Sequence, residues 1–195
     1  MTEADLNTDG ARGLDGSRVI VLGGSSGIGF AVARRARTEG AEVVVASSNA
    51  QRVRDAVDRL GGNAEGRRLD LTDERAVEAF FGDIGHFDHL VFTAGDGLLL
   101  SKIADSDLAA ARRAFEVRYW AAVAAAKYSA PAIREGGSIV LTSGISAWRP
   151  RSGWALGASV CGAVEALARA FAVEIARFAS TSYRPALCAP ICGRT

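Results

Sequence analysis

The stretch VIVLGGSSGIG, residues 19–29, decides the fold of this 195-residue chain. An apolar run, Val19–Leu22, is followed by a glycine-rich turn that contains Gly23, Gly27 and Gly29, and then by a segment with helical apolar spacing. Glycines between a strand and a helix allow a tight turn and a close approach of the backbone to a pyrophosphate, which the helix N-terminus favours. The stretch therefore predicts a dinucleotide-binding loop, formed by Gly23, Ser25, Ser26, Gly27, Ile28 and Gly29.

Strand-like and helix-like segments alternate along the remainder of the chain. This alternation, with short connections, predicts an α/β Rossmann fold, a doubly wound parallel sheet with helices on both faces. We expect one domain over residues 17–195, preceded by a flexible tail over residues 1–16. The predicted strands are Val19–Leu22, Val43–Ala46, Arg68–Leu71, His89–Thr93, Ser138–Thr142 and Arg184–Ala189. The predicted helices are Gly29–Glu39, 50–60 capped by Asn49, 73–81 capped by Thr72, Ser106–Arg134 with a bend or end at Pro131, and Trp154–Phe178.

Composition limits the classes of partner. The chain has 23 Lys and Arg residues against 22 Asp and Glu residues, so its net charge of +1 provides no strong attraction for nucleic acid or acidic membranes. Its apolar runs are shorter than the about 20 residues that span a bilayer, and the N-terminus lacks the pattern of a signal peptide. We expect a cytoplasmic protein with a small-molecule substrate, without nucleic-acid or membrane partners. The three cysteines and the pair His86 and His89 predict neither a disulfide framework nor a metal site.

The end of the second predicted strand bears on which dinucleotide binds. In this fold an acidic residue there binds the ribose 2′-hydroxyl of NAD, and it would repel the 2′-phosphate of NADP. The sequence VVVASSNAQRV, residues 43–53, has no acidic residue; it offers the small donors Ser47, Ser48 and Asn49, with Arg52 one turn further on. These residues favour NADP(H) over NAD(H). The alternative is that the serines and Asn49 only cap the following helix.

Five segments, in order, resemble the short-chain dehydrogenase/reductase family. They are LGGSSGIG at 22–29, RLDLTD at 68–73, FTAG at 92–95, GGSIVLTSG at 136–144 and GAVEALARAFAVEIA at 162–176. The resemblance implies that Asp70 and Leu71 lie beside the adenine, and that the backbone of Ala94 and Gly95 lines the cofactor.

The catalytic positions depart from the pattern of that family. Its members use Asn, Ser, Tyr and Lys, whereas the matching positions here hold Arg118, Gly144, Gly157 and Cys161. Arg118, a permanent cation, and Ser143, next to the serine position, are therefore the candidate catalytic residues. Trp148 and Trp154 are candidate walls of a substrate pocket. Family members also continue past the segment that matches CAPICGRT, so the resemblance implies a shortened C-terminus.

The resemblance implies an NADP(H)-dependent oxidoreductase that acts on a carbonyl or an alcohol, with a degenerate active site. Two alternatives stay open: a catalytically silent NADP(H)-binding subunit, and a non-redox lyase, isomerase or cyclase on the same scaffold. The two long alanine-rich helices, Ser106–Arg134 and Trp154–Phe178, correspond to the subunit interface of the family. We therefore expect a homodimer or a homotetramer.

Overall fold

A computed structural model describes residues 13–95 and 100–174 of the chain. They form a five-stranded parallel sheet with the strand order β3-β2-β1-β4-β5. The predicted fold class is confirmed. The strands are β1 Arg18–Leu22, β2 Glu42–Ser47, β3 Glu65–Arg68, β4 Phe87–Phe92 and β5 Ile133–Leu141; the helices are α1 Gly27–Thr38, α2 Ala50–Leu60, α3 Glu74–Asp83, α4 Leu108–Phe115, α5 Ala121–Ser129 and α6 Ala155–Glu174.

The central strand β1 is buried on both of its faces. Ile20 and Leu22 belong to a core cluster that also contains side chains of α3 and α5, whereas Val19 and Val21 belong to a second cluster shared with α1 and α2. Successive side chains of a strand point to opposite faces of the sheet, so an unbroken apolar run fits a strand covered by helices on both sides. This arrangement places the carboxyl ends of β1 and β4 together at one edge of the sheet.

The prediction for the third strand was wrong in its position. Glu65–Arg68 pairs with β2 from Val44 to Ser47, whereas the prediction was Arg68–Leu71. An edge strand with a single neighbour tolerates polar side chains, and the apolar residues Leu69 and Leu71 pack into the core just after the strand ends. The predicted cap was also displaced by one residue. Asp73, not Thr72, accepts hydrogen bonds from the first backbone N–H groups of α3.

The long helix predicted over Ser106–Arg134 is interrupted. Helix α4 begins after Asp107, which accepts a hydrogen bond from Ala109 N, and it leads into a π-helical segment, Glu116–Trp120, before α5. Helix α5 ends at Ser129, as a nearby proline requires. Strand β5 then begins at Ile133, five residues before the predicted Ser138–Thr142, and its pairing with β4 contains a register shift.

Helix α6 corrects the expectation that every apolar segment is too short to span a bilayer. With 20 residues and a mean hydropathy of 1.5 over an 18-residue window, it is the one helix in the described ranges that is long and apolar enough to cross a membrane. It nevertheless packs on the 3-10 turn Ile145–Ala147 and on β5, and it buries Val160, Val164 and Glu165. These contacts make a long and apolar helix part of the Rossmann domain.

The ends of the chain limit which predictions the structure tests. Leu14 packs against the second core cluster, so the segment expected to be a tail contacts the domain from that residue onward. The predicted strand Arg184–Ala189, the last residues of Trp154–Phe178, and Cys188 and Cys192 lie outside the described residues.

Candidate functional site

The glycine loop between β1 and α1 is pressed against the end of β4. Gly23 has a positive φ of 84°, and a Cβ added to it would lie 2.6 Å from the backbone nitrogen of Ala94. A Cβ on Gly29 would overlap the carbonyl oxygen of Gly23 and Oγ1 of Thr93. Only a residue without a side chain fits at either position, which accounts for the spacing of the glycines in the sequence.

The N-terminus of α1 is open to an anion. Its N-cap, Ser26, makes no side-chain capping hydrogen bond, and the first turn of the helix contains no acidic residue. Ser26, Gly27 and Ile28 are exposed, whereas Ser25 is buried. Unpaired N–H groups and the positive end of the helix dipole favour a phosphate at this place. The residues present therefore fit the pyrophosphate of a dinucleotide, which the backbone of Ser26, Gly27 and Ile28 would hold.

The residues predicted to select the nucleotide lie at the end of β2. Arg68, which the sequence did not suggest, contacts one of them. Asn49 caps α2, because its side chain accepts a hydrogen bond from Arg52 N. Ser47 is partly buried and Ser48 is exposed. Nε of Arg68 donates to the carbonyl oxygen of Ser48 over 3.3 Å, so a guanidinium from β3 lies beside the end of β2. The sequence shows two adjacent arginines, Arg67 and Arg68, but it does not show how β3 is aligned with β2. The contact of Arg68 with Ser48 therefore could not be predicted.

Of the two residues expected beside the adenine, Asp70 is exposed and Leu71 is buried. The exposed Asp70 accepts hydrogen bonds from Oγ1 and N of Thr72, at 2.7 and 3.0 Å. These two bonds hold the pKa of Asp70 below its ordinary value; burial opposes them with a smaller effect, and the charge of Arg68 lowers the pKa by less still. Leu71 packs into the core cluster. Of the two predicted residues, only Asp70 presents its side chain at the surface of this edge.

Arg118 lies at the end of β4, next to the predicted cofactor lining. A Cβ added to Gly95 would lie 2.6 Å from Cζ of Arg118, so the guanidinium rests on the backbone of Gly95. Arg118 is the middle residue of the π-helical segment Glu116–Trp120. Single π-turns inside α-helices occur frequently at functional sites. The structure thus brings together Gly95 and Arg118, which the sequence placed separately in the site.

Ser143 is turned towards α6. Its Oγ lies 3.2 Å from the carbonyl oxygen of Cys161 and 2.9 Å from Oε1 of Glu165, so its single proton is donated to one of these two oxygens. Only acceptor lone pairs of Ser143 are then available to any other group. The catalytic role of Ser143 stays a prediction. The buried Glu165 in this cluster was not singled out from the sequence.

Gly144, Gly157 and Cys161 occupy the positions that hold serine, tyrosine and lysine in the family. Among the described residues, and apart from its chain neighbours and the backbone of its own helix, no atom lies within 4 Å of a Cβ added to Gly157, so open space takes the place of a tyrosine there. Sγ of Cys161 would lie 3.1 Å from a Cβ on Gly144, and Oγ of Ser146 donates to that sulfur over 3.4 Å. A thiol and a hydroxyl are therefore the polar groups nearest to the serine position.

Comparisons with known proteins identify the family of the chain. The family model described as enoyl-(acyl carrier protein) reductase matches residues 23–180. A short-chain dehydrogenase/reductase, fsr5, of Gibberella fujikuroi is 35% identical over 180 residues, which cover 84% of this chain and 68% of the relative.

Solved structures are also similar over most of the chain. A small-chain dehydrogenase in complex with NADPH matches with a TM-score of 0.70 and 35% identity, covering 84% of this chain and 67% of the other. The MalC reductase/Diels-Alderase of Malbranchea aurantiaca matches with a TM-score of 0.76 and 30% identity, covering 86% and 72%. Given the glycine loop, the parallel sheet and these matches, the chain belongs to the short-chain dehydrogenase/reductase family.

Proposed function

We propose that this protein is an NADP(H)-dependent reductase of a carbonyl group, in which Arg118 replaces tyrosine as the residue that stabilises charge on the substrate oxygen. The observation that carries the proposal is the contact of the Arg118 guanidinium with Gly95, at the carboxyl end of β4. Membership of an oxidoreductase family and the similarity to a dehydrogenase solved with NADPH support it.

The cofactor would be held at two places along the sheet edge. The backbone of Ser26, Gly27 and Ile28 would bind the pyrophosphate, and Ser48 with Arg68 would bind the 2′-phosphate. A 2′-phosphate next to Arg68 gains a charge-assisted hydrogen bond, and no acidic residue of β2 beyond Glu42 opposes it. When bound, NADPH supplies the hydride for the reduction.

Arg118 suits a site that has lost its proton donor. A guanidinium remains charged at any ordinary pH, so it donates hydrogen bonds to a developing alkoxide without giving up a proton. Donors placed at such an oxyanion are worth about 10²–10³ in rate. The open space beside Gly157 would admit a water molecule, which delivers the proton that tyrosine provides elsewhere in the family.

A second candidate is cycloaddition on the same scaffold. It is favoured by the similarity to MalC, whose structure is described as a reductase/Diels-Alderase. A cation that polarises a carbonyl also activates an alkene conjugated to it, and that reaction needs neither a hydride nor a proton donor. Arg118 would serve this chemistry as well as reduction.

One experiment separates these functions. The full-length protein is titrated with NADPH and with NADH by nicotinamide fluorescence, and cofactor oxidation is then followed with a panel of aromatic and aliphatic aldehydes, ketones and enones. Tight NADPH binding with oxidation supports the reductase. Binding without oxidation leaves the cyclase or a silent subunit, which product analysis with a diene-containing enone distinguishes. Absence of binding, with NADPH at millimolar concentration, overturns the proposal.

We also propose that α4 and α6 form a homodimer interface. Only 17% of the apolar window of α6 is buried, and Leu108 and Trp120 are more than half exposed beside a shallow groove of about 370 Å³. Contiguous exposed apolar surface is typical of interaction sites. Arg112 and Glu116 border the groove, so a second copy related by a two-fold axis would place opposite charges against each other. Light scattering of the purified protein should give the mass of a dimer or tetramer; a monomeric mass at micromolar concentration contradicts this interface.

A further inference from the structure

Trp148 is exposed, but a hydrogen bond from its indole N–H holds the ring in place. The residue is 70% exposed, yet its Nε1 donates a 2.8 Å hydrogen bond to Oε2 of Glu165. Glu165 is only 8% exposed. An indole on a protein surface usually samples several rotamers, but this one is held by its polar edge while its apolar face stays in solvent. The ring is therefore oriented before any ligand arrives.

Glu165 is the group that holds this arrangement together. Its other carboxylate oxygen, Oε1, accepts the 2.9 Å hydrogen bond of Ser143, so one buried side chain of α6 ties both the end of β5 and the loop that follows it. Buried charged groups need such partners, because desolvation without them is costly. The loop that contains Trp148 is thus anchored from beneath by a single residue.

The loop is positively charged as well as aromatic. Arg149 and Arg151 are exposed and lie close to Trp148 in the sequence. Between Glu116 and Glu165, Glu135 is the only acidic residue of the sequence. Cζ of Arg151 lies 5.6 Å from the ring centre of Trp154, so the same loop also pairs a cation with a second aromatic ring. We call Trp148, Arg149 and Arg151 the Trp148 platform. Its chemistry matches a flat ring that bears a negative charge.

The Trp148 platform borders the candidate active site. Just before the loop, the backbone nitrogen of Thr142 donates a 3.1 Å hydrogen bond to the carbonyl oxygen of Phe92, the last residue of β4, and near the end of the loop the carbonyl oxygen of Gly153 accepts a 3.0 Å hydrogen bond from the backbone nitrogen of Ser101. At its other end the loop begins at Gly144, which lies against Cys161. A ligand on the platform would therefore lie beside the edge of the sheet where the cofactor binds.

We propose that the Trp148 platform is the substrate-docking surface, that it accepts flat aromatic compounds with an anionic group, and that Glu165 is its positioning residue. The aromatic ring stacks on Trp148, and the anion lies between the guanidinium groups of Arg149 and Arg151. Because the indole is already held by Glu165, little side-chain entropy is lost when the ligand binds. The inference rests on the proposed function in one respect, since it names the substrate class of that site.

The first test measures binding without any cofactor. The full-length protein is titrated by calorimetry with three probes: 2-naphthoate, the neutral analogue 2-naphthalenemethanol, and the non-aromatic anion cyclohexanecarboxylate. We expect 2-naphthoate to bind most tightly. Trp148→Ala should weaken its binding about tenfold, the range of a lost aromatic contact with its buried area. Arg54→Ala is the control, because it removes another large exposed side chain, on α2; the affinity of this variant for 2-naphthoate should be unchanged.

The second test separates positioning from general stability. Glu165→Gln keeps the size of the side chain but offers one acceptor oxygen in place of two, and Trp148→Phe keeps a ring but removes the N–H. Both should raise the KM of an aromatic carboxylate substrate several-fold with little change in kcat, and the ¹⁹F resonance of 5-fluorotryptophan at position 148 should sharpen in Glu165→Gln as the ring gains mobility.

The inference is overturned if 2-naphthoate binds Trp148→Ala as tightly as the wild-type protein, if cyclohexanecarboxylate binds as tightly as 2-naphthoate, or if none of the probes binds. If Trp148→Ala does not fold, Trp148→Phe and the double variant Arg149→Ala/Arg151→Ala give the same decision. A failure of NADPH binding, in contrast, overturns the reductase and leaves the probe titrations valid. The two proposals therefore fail independently.

Discussion

The guanidinium group of Arg118 lies on the α-carbon of Gly95, so close that a methyl group there would be 2.6 Å from its Cζ. This contact joins a residue of the π-helical segment to the end of β4. It explains why a glycine follows Ala94 without any appeal to backbone conformation, since the side-chain space of residue 95 is already filled by the arginine. The placement of the cation therefore depends on both residues.

We predict that Arg118→Ala lowers the turnover of the NADPH-dependent reaction about 10²-fold, because a donor to the developing alkoxide is lost. Gly95→Ala should lower it as well, since the added methyl group displaces the guanidinium. The measurement is kcat with the best carbonyl substrate. Arg113→Ala, an exposed arginine of α4, is the control. Equal turnover in Arg118→Ala and Arg113→Ala would exclude Arg118 from the chemistry.

The glycine loop permits a test of cofactor binding that does not depend on catalysis. Gly29→Ala forces its methyl group into Gly23 and Thr93, so we expect NADPH affinity to fall by at least about tenfold, with some loss of stability. Gly82→Ala is the matched control, because the residue is inside α3 and no described residue outside its own helix comes within 4 Å of the added methyl group. It should raise the free energy of unfolding by about 0.5–1 kcal/mol and leave binding unchanged. Unaltered NADPH binding in Gly29→Ala would contradict the loop assignment.

Nucleotide preference should depend on Arg68 and not on its neighbour. Arg68→Ala is expected to weaken NADPH binding about tenfold through the lost charge-assisted hydrogen bond, with little effect on NADH. Arg67 forms an ion pair with Glu65, so Arg67→Ala provides a control of equal charge. Fluorescence titrations with both cofactors check the result. If Arg67→Ala and Arg68→Ala weaken NADPH equally, a general field rather than a specific contact is responsible.

The stability of the fold should depend on pH through His89. Burial lowers the pKa of His89 below its ordinary value of 6.5, against a smaller opposing effect of Asp88. As the pH falls below 6.5, the unfolded chain binds a proton that the folded chain does not, so the free energy of unfolding decreases until the folded-state pKa is passed. Urea denaturation at several pH values between 7.5 and 5 should show this decline. His89→Gln should flatten it, and an unchanged slope in that variant would assign the effect to other groups.

Helix capping gives a prediction that distinguishes two adjacent residues. Asp73→Ala removes the acceptor for the N–H groups of Arg75 and Ala76, and it should cost about 1 kcal/mol of stability. Thr72→Ala instead removes one donor to Asp70, so it should raise the pKa of that carboxyl group while costing the helix little. Chemical denaturation and NMR titration of Asp70 measure the two effects. A larger loss of stability in Thr72→Ala would reverse the assignment of the cap.

Much of the fold could be predicted because local and overall patterns agree. The run Val19–Leu22 and its glycines define one strand, one turn and one helix by chemistry that few other structures share. The third strand could not be placed in the same way. Glu65–Arg68 looks polar because an edge strand has one neighbour, and the apolar Leu69 and Leu71 after it imitate a strand while packing as a loop.

The sequence predicted the part of the site that depends on backbone geometry. It did not predict the contacts between side chains that are distant in the sequence. The phosphate loop depends on glycines that the sequence displays directly. The contact of Arg118 with Gly95 required the π-helical segment, and sequence spacing contains no signal for a single turn with a different hydrogen-bond pattern. The partners of Glu165 lie 17 and 22 residues away, so its burial could be read only from the folded chain.

The π-helical segment Glu116–Trp120 also fixes how tolerant this part of the chain is to changes in length. A π-turn holds more residues than the α-turn it replaces, and each residue of an α-helix rotates the chain by about 100°. A homologue that lacks one residue here would be expected to form an unbroken α-helix, with its remaining side chains rotated around the axis. Deletion of a single codon could therefore remove the cation from the cofactor edge while leaving the sheet and its core intact.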